Sequence, residues 1–138
     1  MTVADASVVL KWVLPDEPFR GEALSLRQLH FRGTDLVSAP ELLLYEAANA
    51  LSTRYEEVAL ATEAFREICA AELTLHALEV PEFLGAIELA YRYGISVYDA
   101  SYVALAQSLR CRFVTTDERL LARLKGVPHV LHLSEMAR

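Results

Sequence analysis

The sequence predicts an α/β protein, a three-layer α/β/α sandwich built on a five-stranded, mainly parallel sheet. Three observations carry that expectation. Short β-like runs alternate with longer helical patterns along the whole chain, the signature of a parallel sheet covered by helices. The 138 residues are 54% hydrophobic and 23% charged, enough chain and enough apolar side chain to enclose a real core. No linker, low-complexity tract or internal repeat interrupts them, so residues 1–138 read as a single domain.

The elements follow in order. Residues 2–4 form the first strand, and residues 7–14 a short helix stopped by Pro15. A second helix covers about 18–32 and is closed by Gly33. Residues 35–38 make the second strand. Pro40 then falls in the first turn of a helix reaching about Tyr55, with Ser38 and Glu41 spaced as a capping box. Residues 60–72 are an amphipathic helix and 73–78 a third strand. Pro81 opens a helix that ends at Gly94, and residues 98–109 form another. The fourth strand covers 112–116, a short helix 118–124, and the last strand 130–133. Ligands of such sheets bind at the carboxyl ends of the strands, where the strand order reverses.

A formal charge of −6 tells against a protein that grips nucleic acid with a broad basic surface. It leaves room for a nuclease, because bound divalent cations reverse the local potential. Eleven Arg stand against two Lys. Arg suits bidentate phosphate contacts, although genome composition produces the same bias. Cys69 and Cys111 are isolated, with no zinc or disulfide spacing, and are expected to be buried free thiols. With no leader-like segment and no apolar run long enough for a bilayer, a cytoplasmic location is expected.

Fourteen Glu but only five Asp are present, and three of those Asp fall at element junctions. Asp5 follows the first strand and is the only charged residue among the first ten; as a helix N-cap it competes with Ser7. Asp99 stands three residues after Ser96, the spacing of a capping box, and opens an apolar, small-residue-rich helix that should be buried. Asp117 follows the fourth strand and is itself a plausible cap. Thr115, two residues earlier, points from the same strand face to the same end. Glu46 lies at the margin of the apolar face of its helix, where a lone carboxylate is expensive unless paired or bound to a cation. A Glu snorkelling to solvent is the plainer alternative. The fold class brings all four to one edge of the sheet. Four crowded carboxylates cannot all ionise comfortably without compensating charge. Hard divalent cations with oxygen ligands, Mg²⁺ or Mn²⁺, answer that need.

Four segments, 5–12 (DASVVLKW), 39–51 (APELLLYEAANAL), 98–106 (YDASYVALA) and 115–120 (TTDERL), resemble the motif blocks of PIN-domain proteins in order and spacing over essentially the whole chain. Within that family the segments are most similar to VapC toxins of prokaryotic toxin–antitoxin pairs. The resemblance implies a Mg²⁺- or Mn²⁺-dependent endoribonuclease in which Asp5, Glu46, Asp99 and Asp117 form the acidic quartet and hold metal. It implies that the Thr115 hydroxyl helps order the site, with Ser7 doing likewise and Asn49 at a polar position nearby. It further implies a homodimer and a small antitoxin protein that covers the acidic groove. Thr2 and Ala4 depart from the pattern, where bulkier aliphatics are common.

The expected chemistry is in-line attack of a metal-activated water on an RNA phosphodiester. Lys11, Arg54, Arg92 and Arg119 are the candidates for gripping flanking phosphates. A non-catalytic PIN-fold module that only binds RNA or protein is the alternative, and the complete quartet speaks against it. A phosphotransferase with Asp5 as nucleophile ranks last, because Ser7 occupies the place of the second Asp such enzymes need. His129 and His132 face opposite sides of a strand and should not share a metal. Trp12, Tyr45 and Tyr102 suit base stacking, but their helical spacing suits core or dimer interface better.

Overall fold

The computed structural model describes residues 1–136, and the chain opens on a fully buried strand, β1 (Thr2–Ala4). A single helical turn, α1 (Ala6–Val9), runs on as a 3₁₀ turn over Leu10–Trp12, anchored where the Trp12 indole donates 2.8 Å to the Ala23 carbonyl. The expected helix over 7–14 is therefore split and shorter, as the tight spacing before Pro15 demands. α2 (Arg20–Phe31) leads to β2 (Val37–Pro40), and α3 (Leu42–Arg54) and α4 (Val58–Ala70) follow as a helical hairpin. β3 (Thr74–His76), α5 (Val80–Tyr93), α6 (Val97–Leu109), β4 (Arg112–Thr115), α7 (Glu118–Arg123) and β5 (Val130–His132) complete the chain.

The strands join in the order β3-β2-β1-β4-β5, and every pairing is parallel. This is the expected five-stranded sheet flanked by helices. The order reverses between β1 and β4: the chain builds outward from β1 to β3, then crosses to the other side. α6 lies on the sheet against β1, β2 and β4, with α5 packed along it. Seven consecutive residues of α6, Ala100–Ala106, are buried, so this helix has no wet face over its middle. β1 and β2 are buried at every residue, as strands covered on both faces must be.

One local expectation fails. Pro40 ends β2, in register with His76, and does not enter the helix. The ring that lacks an N–H is tolerated at a strand end. The helix starts at Leu42 after Glu41, and the Ser38 hydroxyl is buried without a hydrogen-bond partner, so the Ser38–Glu41 capping box does not form. The Pro81 start and Gly94 stop hold, with Gly94 left-handed at φ 65°. Cys69 is exposed rather than buried, because Ala64 and Ile68 take the inner face of α4; Cys111 is half-buried, and both thiols are free. Among the described residues no helix is long and apolar enough to cross a membrane.

Candidate active site

The carboxyl end of β1 delivers Asp5 to the point where the strand order reverses. Its carboxylate is only 8% exposed and accepts two hydroxyl hydrogen bonds, from Ser7 Oγ at 2.5 Å and Thr115 Oγ1 at 2.5 Å. Thr115 is the last residue of β4, the neighbouring strand, so the bond spans the reversal. A small net ties the two strand ends together. Ser7 Oγ accepts from the Thr116 amide at 3.0 Å and lies 3.3 Å from Thr115 Oγ1, which accepts from the Asp117 amide at 3.0 Å.

The other three acids arrive from helix starts and from α3. Asp117 caps α7, its Oδ1 accepting from the Leu120 amide at 3.1 Å, while the side chain remains exposed. The plain capping role is thus real, and it fixes the side chain at the same edge. Asp99 stands in the first turn of α6, where the helix dipole favours an anion. Only half of its expected capping box exists: the Asp99 amide donates to Ser96 Oγ at 3.0 Å. Glu46, on α3, is half-buried and accepts from the Tyr102 hydroxyl at 2.5 Å. The snorkelling alternative for Glu46 therefore does not hold.

The four are close enough to feel one another. Burial pushes the Asp5 carboxyl up to about 6, against its hydroxyl hydrogen bonds, and the charge of Glu46 adds to the rise. Burial raises Glu46 too, with Asp99 adding to it. Asp99 is likewise raised by burial and by Asp117. No ion pair among the described residues includes any of the four. A chain of like charges with no built-in cation is the electrostatic condition that an external cation relieves.

Do these residues suit a metal ion? The donors are all hard oxygens, the set that Mg²⁺ and Mn²⁺ prefer. As the side chains stand, no three His, Cys, Asp or Glu among the described residues close into a ready cage. Mg²⁺ does not require one, since it keeps several waters and is held through one or two carboxylates. The residues fit the ion on those terms.

Several other expectations resolve here. Ser7 joins the site as closely as Thr115 does. Asn49 is exposed one turn beyond Glu46 on α3, and none of the side-chain hydrogen bonds reaches it from the acids. Lys11 is 5% exposed, so its stem lies in the core and it cannot serve as a surface phosphate grip. Arg54 lies 3.9 Å from Glu17, Arg92 stacks over Tyr93, and Arg119 is exposed beside Asp117 in sequence. Trp12 and Tyr102 are core residues, while Tyr45 is largely exposed. His129 and His132 do not meet: His132 Nδ1 is 2.7 Å from Ser134 Oγ, and His129 sits in a left-handed turn. Tyr102 is the site residue that spacing alone missed. The available signal was a hydroxyl on an otherwise apolar buried helix, which must find a partner.

The most voluminous described cleft, about 960 Å³, opens at the opposite edge of the sheet, by Asp35 and Arg112, and holds none of the four acids. The four acids share the other end of the central strands, outside that cleft.

Comparison with known proteins returns one family. The family model of the PIN domain matches residues 2–127. The chain is similar to the protein called exonuclease VapC9 of Pyrobaculum aerophilum, 37% identical over 87 residues, covering 62% of this chain and 65% of that one. It is 33% identical over 122 residues to ribonuclease VapC9 of Mycobacterium tuberculosis, covering 87% of this chain and 88% of the relative. In three dimensions it resembles a chain of a toxin–antitoxin complex from Klebsiella pneumoniae, with a TM-score of 0.70 at 14% identity over 96% of this chain and 98% of that one. At that identity the last likeness speaks for the fold.

Proposed function

Because the chain belongs to the PIN-domain family, we propose that it is a metal-dependent endoribonuclease, the toxin of a VapBC-type toxin–antitoxin pair, working through Asp5, Glu46, Asp99 and Asp117. The observation that carries this reading is the convergence of four mutually repelling carboxylates, with no ion pair to any of them among the described residues, at the strand reversal. Asp5 and Asp99 are the direct ligands of Mg²⁺ or Mn²⁺ in this reading, with Glu46 and Asp117 holding the ion directly or through water. Bound there, the ion supplies an activated water for in-line attack on the phosphodiester and compensates charge on the leaving oxygen.

The chain's own groups do the rest. Ser7 and Thr115 donate to Asp5 and fix its orientation, leaving its remaining lone pairs for a ligand. The Asp117 amide holds Thr115 from behind, and the Thr116 amide donates to Ser7 Oγ, which ties the two strand ends together. The α6 N-terminus supports the charge on Asp99. The crowded carboxylates repel RNA phosphate until a cation is present, so cleavage is expected to depend on one.

Two partners belong to the reading. α5 presents Val80, Leu84, Ile87 and Tyr91 on one exposed apolar face, spaced four and three residues apart, and a second copy of this chain is the proposed cover. A small antitoxin protein covering the acidic edge is the proposed inhibitor, in a cytoplasmic setting. The test is RNA cleavage by purified protein in Mg²⁺ or Mn²⁺, beside EDTA and Asp99→Asn. Cleavage that needs both metal and Asp99 is expected. Cleavage that survives EDTA or the loss of Asp99 would refute the mechanism, and RNA binding without cleavage would favour the non-catalytic module.

A further inference from the structure

We infer that Tyr102 is a positioning residue of the acidic site, holding the Glu46 carboxylate through its hydroxyl in the place where Glu46 can share a divalent cation. The inference rests on the metal-dependent reading above and deepens it.

Tyr102 lies three residues after Asp99 on α6, and residues so spaced share a helix face. One helix therefore brings both a carboxylate and a group that reaches across to the carboxylate of another helix, α3. The Tyr102 ring is 1% exposed and stacks on Phe113 of β4, with centroids 5.8 Å apart and planes 24° from parallel. Packing fixes both of its side-chain torsions, so the hydroxyl is delivered to one point. There it donates to Glu46 Oε1 at 2.5 Å, the sole hydrogen bond of that carboxylate among the described residues. The second oxygen, Oε2, is left for a ligand.

The contact also opposes a force. Asp99 repels Glu46, and a Glu with three free torsions would relieve that repulsion by swinging into solvent. Among the described residues the phenol is the neutral donor that draws it inward. A purely structural role does not explain it: Phe would fill the same volume and keep the stack on Phe113, without a buried hydroxyl in need of a partner.

The test compares the full-length chain with Tyr102→Phe, Glu46→Ala and the double variant. Phe retains the ring and its packing, so the melting temperature in EDTA should stay within about 5 °C of the unmodified protein. Mn²⁺ affinity measured by calorimetry should fall about tenfold, as it does when a partner orienting a metal ligand is removed. RNA turnover should fall with it, in kcat, while KM changes by less than about twofold. In the Glu46→Ala background the Tyr102→Phe change should add nothing, because the hydroxyl acts only through Glu46. Unchanged Mn²⁺ affinity in Tyr102→Phe, or losses that multiply in the double variant, would overturn the inference while leaving the nuclease reading intact. No Mn²⁺ uptake by the unmodified protein would overturn both.

Discussion

Asp5 and Asp35 stand near the two opposite ends of the same central strands, and they live in opposite electrostatic worlds. Asp35 is only 13% exposed, yet although burial works against its charge, the Arg112 guanidinium at 2.7 Å and the Thr2 hydroxyl at 2.9 Å hold its carboxyl below the usual range. Arg112 Nε also donates to Thr2 Oγ1 at 3.0 Å, which closes the group. Asp5 has hydroxyls but no cation, shares its edge with three more acids, and is pushed up to about 6. An acid that carries its own cation fastens the sheet. A group of acids without one is destabilising until something positive arrives, which is the condition the proposed metal answers.

The largest expected effect breaks the comparison on the catalytic side. Asp99→Asn should lower RNA cleavage about a thousandfold or more, a loss of about 4 kcal/mol in transition-state stabilisation. Urea denaturation of the same variant should show stability equal to or above the parent's, since a repelling charge has gone. A large loss of stability would mean that Asp99 is a structural acid like Asp35.

Next comes pH. The folded Asp5 holds its proton up to about 6, while the unfolded chain releases it near the ordinary 3.8. The folded state therefore binds more protons between those values, and stability from this group falls as pH rises through the window and stays low above it. Between pH 7 and pH 4 Asp5 alone should contribute a gain of about 2 kcal/mol. Asp5→Asn should remove that slope, and saturating Mn²⁺ should flatten it in the parent. Asp35 runs the other way: its stabilisation is complete above the unfolded carboxylate range and is lost as pH falls through its lowered value.

A smaller effect is expected at the structural edge. Arg112→Ala removes the nearer of the two cations on Asp35, leaving the Met1 amino group at 3.1 Å, and should cost about 2 kcal/mol in urea denaturation, with kcat for RNA cleavage unchanged. Loss of activity without loss of stability would give that edge a role in catalysis. Smallest of all, Thr115→Val should destabilise by about 1 kcal/mol, since one of two hydroxyls on Asp5 remains. It should lower activity more than its effect on folding explains, as expected if Thr115 orients Asp5.

Much of this was legible in the residues themselves. The alternation of patterns announced the sheet, and Gly94 and Pro81 bounded α5 as their chemistry requires. Pro40 misled because the same residue suits a helix start and a strand end, and only pairing with β3 decides between them. Lys11 looked available because its neighbours in sequence do not reveal that the 3₁₀ turn folds it inward. The acids stood out because Asp is scarce in this chain, but each had a second reading as a cap, and Asp117 turned out to act as one.

Periodicity and junction position are local properties of a chain, so the sequence alone announced the parallel α/β architecture, the three Asp at its junctions and the Glu at the margin of an apolar helix face. Only the tertiary structure decided which acid has a cation and which does not, and which hydroxyl attends which carboxylate. Asp35 meets Arg112 across 77 positions, Asp5 meets Thr115 across 110, and Glu46 meets Tyr102 across 56. Partnerships at such separations are set by strand order and helix packing, and no local spacing records them.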